Sequence, residues 1–97
     1  MAGAGIYASM DDGVAASYGI TSSGLVIKSA SGRVIRISVI VAGSAVGAVY
    51  DFNSLSSPQN QIAVIPNSVG VIEVRWPVTL GITVVPGTGQ TVAVSYS

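Results

Sequence analysis

Asp11 and Asp12 form the one adjacent pair of carboxylates in the chain, an arrangement that can hold a hard cation or divide acid and base roles. Calcium takes six or more oxygen ligands, and no third carboxylate stands nearby, so the pair reads as a solvated turn. Asp51, between Tyr50 and Phe52, has no histidine or lysine beside it and suits capping of a strand end or turn better than acid catalysis. The serines and threonines have no histidine base anywhere in the chain, and nothing around Lys28 indicates a Ser–Lys pair. The glycine-rich pieces Ala2-Gly3-Ala4-Gly5 and Gly87-Thr88-Gly89-Gln90 lack the lysine and the strand–loop–helix context of a phosphate cradle. Trp76, Tyr50 and Tyr96 are of the types that stack on sugars, but Trp76 shares a period-two register with Ile72 and Val74, which places it in a core. Lys28, Arg33 and Arg36 are the basic cluster. Three residues apart on a strand, the two arginines point to opposite faces, one to pair with a carboxylate and the other to dock an acidic partner surface.

With no histidine, no cysteine and 8% charged residues, the side chains that move protons, attack carbonyls or bind transition metals are nearly absent. An enzyme is therefore not expected, nor a cofactor, a metal or a small-molecule substrate. Zero formal net charge lacks the basic excess that phosphate neutralisation needs, which argues against nucleic acid. Ordinary soluble domains carry about 25% charged residues. A surface so poor in charge is expected to be covered by a partner or by copies of the chain, since little repulsion keeps monomers apart. The charge-free apolar stretch from Ile37 to Tyr50 is shorter than the roughly twenty residues of a spanning helix and is interrupted by Gly43-Ser44-Ala45, so no membrane span is expected. The start of the chain has no basic region and carries Asp11 and Asp12, which does not read as a secretory signal.

Ninety-seven residues allow one small core. From Met1 to Ser23, Gly, Ala and Ser surround isolated larger residues, Ile6, Tyr7, Met10, Tyr18 and Ile20, with no sustained period. Residues 1–23 therefore read as an extended N-terminal arm that orders against a neighbour, and those five residues as candidate partner or subunit contacts, together with Arg33 and Arg36. Residues 24–97 read as a β domain able to fold without the arm. Its short runs of Val, Ile, Thr and Tyr end at Gly, Pro, Asn or Ser, with strands expected at Gly24–Ser29, Arg33–Ala42, Val46–Phe52, Gln61–Ile65, Val69–Trp76, Gly81–Val85 and Thr91–Tyr96. Alternation puts Ile35, Ile37, Val39 and Val41 on one inner face, Ile72, Val74 and Trp76 on another, and Glu73 and Arg75 outside. Pro86 and Gly87 suit the second and third places of a type II turn. Seven short strands separated by turns predict an all-β, antiparallel, two-layer β-sandwich of jelly-roll-like form.

A set of ordered stretches carries a further expectation: Ser31-Gly32-Arg33-Val34-Ile35-Arg36-Ile37, Ala42-Gly43-Ser44-Ala45-Val46-Gly47, Asn60-Gln61-Ile62-Ala63-Val64-Ile65-Pro66, Trp76-Pro77, Gly81 to Gln90, and Val94-Ser95-Tyr96. From about Leu25 to Ser97 the chain resembles small virion structural proteins of tailed bacteriophages, of the kind that act as head decoration, or cement, proteins or end head fibres. The resemblance implies a non-enzymatic β-sandwich bound to the outside of a capsid, with the major capsid protein as partner. It also implies a homo-oligomer, commonly a trimer, located on the virion exterior after assembly in the bacterial cytoplasm. Another virion component, at the tail or head–tail junction, and a carbohydrate-binding module are the alternatives.

Overall fold

The computed structural model describes residues 15–97. Within them the β-branched runs form eight strands: β1 (Ala15–Ile20), β2 (Leu25–Lys28), β3 (Gly32–Val41), β4 (Gly47–Tyr50), β5 (Gln61–Ile65), β6 (Gly70–Val78), β7 (Ile82–Val85) and β8 (Thr91–Tyr96). The chain is all-β, with two antiparallel four-stranded sheets packed together, ordered β1-β8-β3-β6 and β2-β7-β4-β5. The first strand pairs with the last, the second with the seventh, the third with the sixth and the fourth with the fifth. Strands distant in sequence must therefore meet before either sheet is complete.

Burial follows the alternation in most strands. Ile37 and Val39 of β3, Val49 of β4, Ile65 of β5, Ile82 and Val84 of β7, and Val92 and Val94 of β8 meet in one core, with Ile72, Val74 and Tyr96 packed against it. Each such aliphatic side chain contributes about 1.5–3 kcal/mol through removal from water.

Four expectations need correction. Ala15–Ile20, assigned above to an extended arm, is a strand paired with β8, and Ile20 is 3% exposed within the core. Small residues with one buried isoleucine gave no visible period, and a long-range partner supplied the order. On β3 the inner face is not the simple series expected, since Val34 joins the core and Val41 is exposed. The ladder to β8 shifts register between Val34 and Arg36 and again between Val39 and Val41, which breaks strict alternation. The turn between β7 and β8 also lies further along: Gln90 N–H donates to the Gly87 carbonyl at 3.0 Å, and the positive φ falls on Gly89 at 82°. Gly87 serves a different need there, because a Cβ would collide with the backbone of Ala45 and Val46.

Trp76 is the fourth. It was expected inside, and it is 53% exposed. Between β3 and β6, the step from Val34 to Arg36 is matched by the longer step from Trp76 to Glu73, and Arg75 takes up the difference at φ 49°. Such a bulge re-aims the neighbouring side chains. Because β6 is also an edge strand among the described residues, no further described strand covers the indole.

Candidate interaction surface

The described charged residues gather toward one end of the sandwich. Arg36 Nη2 lies 3.1 Å from Glu73 Oε2, Arg75 Nη2 lies 3.3 Å from the same oxygen, and Arg33 donates to the Arg75 carbonyl at 3.4 Å. These groups are largely solvated, so each pair contributes at most about 1 kcal/mol. Arg36 is the arginine that pairs with a carboxylate, and Arg33 rests on backbone. Lys28 stands opposite Ile82 at the same end.

Asp51 completes that end as a clamp. Its carboxylate accepts from Thr79 N–H at 3.0 Å, Leu80 N–H at 2.8 Å, Gly81 N–H at 3.4 Å and the Thr79 hydroxyl at 3.2 Å. Partial burial pulls its pKa upward, but the bonds from Leu80, Thr79 and Gly81 outweigh that and hold it below the usual carboxylate value. A carboxyl lowered in the folded state stabilises fully above its unfolded pKa, and that stabilisation is lost as pH falls through the folded one. Asp51→Asn is therefore expected to lower the melting temperature at neutral pH and to flatten its fall below about pH 4. Thermal unfolding across pH 2–7 measures both; parallel curves for the two proteins would show that the clamp's charge does not matter.

Among the described residues, the opposite end carries no charge. It is built from the loops 21–24, 42–46, 66–69 and 86–90, composed of Gly, Ala, Ser, Thr, Pro, Val, Asn and Gln. Three of these loops are tied together. Ser44 N–H donates to the Thr88 carbonyl at 2.8 Å, Gly43 N–H to Asn67 Oδ1 at 2.9 Å, and Gln90 Nε2 to the Pro66 carbonyl at 2.8 Å. Gln90 is buried, and its Oε1 accepts from Gly87 N–H at 2.7 Å, so its amide staples two loops through both of its ends. Gly43 must be glycine for the same reason of space, since a Cβ would run into the Thr88 carbonyl. Around this end the aliphatic side chains of Ile40, Val41, Val46, Val64, Val69 and Val71 are exposed.

The outer face of the first sheet lies between the two ends. Ala16, Tyr18, Ser38, Val71, Ala93 and Ser95 line a shallow apolar depression there, with Arg36 at its edge. Ser95 Oγ is buried without a hydrogen-bond partner. Of the predicted contact residues, Tyr18 is 79% exposed on this face. Arg33 and Arg36 sit toward the charged end, and Ile20 is committed to the core. Ile6, Tyr7 and Met10 lie outside the described residues. Sequence reasoning missed the exposed aliphatic set at the uncharged end. The signal available is the absence of any charged residue from Ile37 to Tyr50.

Among the described residues, no group of three or more His, Cys, Asp or Glu gathers as a metal site, and no helix is long and apolar enough to cross a membrane. The chain matches no protein-family model, no curated protein and no solved structure.

Proposed function

We propose that this chain is a non-enzymatic structural protein that works by surface association, as a decoration protein on the outside of a tailed-phage capsid. The observation that carries the associative part is the exposed aliphatic set, Val46, Val69 and Val71 among them, on a chain with only 8% charged residues. The phage assignment draws on the resemblance over Leu25–Ser97 alone. A jelly roll is the form of the sandwich that this reading takes, supported by the nested pairing of β1 with β8, β2 with β7, β3 with β6 and β4 with β5. The proposed assembly is a homo-oligomer, a trimer at threefold positions of the shell, with the major capsid protein as its partner. Ile6, Tyr7, Met10 and Tyr18 are its proposed contacts.

Co-sedimentation of the purified protein with phage heads that lack it tests the function. The expected result is saturable binding that persists at high salt, because charge contributes little to such a surface. Failure to bind heads, with the protein folded and oligomeric, would remove the capsid assignment and favour another virion component.

A carbohydrate-binding reading has one observation in its favour, the half-exposed indole of Trp76. It ranks second because Tyr96, which shares the Val34 register with Trp76, packs against the core. Quenching of Trp76 fluorescence by a glycan would raise it to first place.

A further inference from the structure

We infer that Asp11 and Asp12 latch back onto the outer face of the first sheet in their own chain, with their carboxylates beside Arg36 at the edge of its apolar depression. The inference goes beyond the associative reading and is independent of it, since it makes no use of Ile6, Tyr7 or Met10.

Charge balance comes first. Residues 15–97 carry four cationic side chains, Lys28, Arg33, Arg36 and Arg75, against two carboxylates, Asp51 and Glu73. The chain as a whole is neutral, so the two charges that offset this surplus are Asp11 and Asp12. Of the described carboxylates, Asp51 is held by Thr79, Leu80 and Gly81. Glu73 is approached by two guanidinium groups at once, Arg36 at 3.1 Å and Arg75 at 3.3 Å. Like charges drawn to one oxygen repel each other, and a further anion laid beside them relieves that repulsion.

Position and reach select the chain's own carboxylates over a foreign anion. One row crosses the outer face: Ala16 on β1 pairs with Ser95 on β8, and Ser95 pairs with Arg36 on β3. All three line the depression. Neighbouring strands lie about 4.8 Å apart, which puts Arg36 about 10 Å from β1. Asp12 and Asp11 stand three and four residues before Ala15, where β1 begins. That length of extended chain spans about 10–14 Å. Asp12-Gly13 is also the kind of dipeptide that turns a chain, here back over the sheet. Midway along the row, Ser95 Oγ is buried without a hydrogen-bond partner. A carboxylate or carbonyl laid over it accepts from this hydroxyl. A tethered group, moreover, acts at an effective concentration on the order of millimolar, which a free anion has to match before it displaces the latch.

The chain has no cysteine, so Ser9→Cys in the full-length protein creates a single site for a nitroxide spin label. At low ionic strength the label is expected to broaden away the amide signals of Arg36, Ser38 and Val71 on β3 and β6, and to spare those of Ala48 and Val64 on the other sheet. The lost signals are expected to return when Asp11→Asn and Asp12→Asn are combined, which removes charge at constant size. They are also expected to return at about 1 M salt, where the Debye length falls to about 3 Å. The salt measurement needs no further substitution, so it decides the matter if the double variant fails to fold. Signals on β3 and β6 that stay sharp throughout would overturn the inference, as would a loss indifferent to salt. A mixture of spin-labelled chains with isotope-enriched, unlabelled ones is expected to show no broadening. Broadening of the same signals in that mixture would assign the face to the segment of another copy, which also overturns the inference. None of these outcomes bears on binding to phage heads, which the co-sedimentation measures separately.

Discussion

A chain that begins at Gly24 is expected to lose its cooperative thermal transition. Residues before Gly24 look dispensable in composition, but Ala15–Ile20 is an integral strand. Its removal turns β8 into an edge and takes Ile20 out of the core. The buried isoleucine contributes about 1.5–3 kcal/mol. Each ladder hydrogen bond to β8 adds about 0.5–1.5 kcal/mol net. Together these approach the total stability of about 5–15 kcal/mol that a domain has. The outcome is measured by circular dichroism during heating of the full chain and the truncated one. A sigmoidal transition at the same temperature in both would show that β1 is an ornament on a self-sufficient domain.

Ile37→Ala is expected to destabilise by about 2–5 kcal/mol, and Trp76→Ala by much less, although tryptophan is the larger side chain. Ile37 sits in the middle of β3, flanked by Val94 on one side and Ile72 on the other, and is wholly buried. Deleting its outer carbons leaves a cavity that two packed sheets cannot collapse around. Trp76 stands half in water on the edge strand β6, so its removal leaves no closed void. Urea unfolding of the two variants measures the difference, and iodide quenching of the wild-type fluorescence checks its cause. Equal losses of stability, with an indole shielded from iodide, would return Trp76 to the core.

The fold class was legible because its signals are local. Runs such as residues 35–39 and Thr91–Tyr96 alternate, and side chains two places apart on a strand share a face. Asp51 was legible as a turn residue, though not as a clamp on residues 79–81, because its partners are set by where β6 ends.

Sequence by itself therefore determined that this chain folds as β-strands in two layers, that it carries no histidine or cysteine and only 8% charged residues, and where most strands begin and end. Tertiary structure alone decided the rest. Ala15–Ile20 became a strand because β8 was there to accept it. Trp76 came to the surface because an extra residue at Arg75 and an uncovered edge intervened. The rim without described charged residues formed because four loops from separate parts of the chain converge when the strands pair first with last. The physical reason is common to all three: alternation and turn chemistry act over a few residues, whereas register, edges and surface patches are properties of strands that meet across the whole chain.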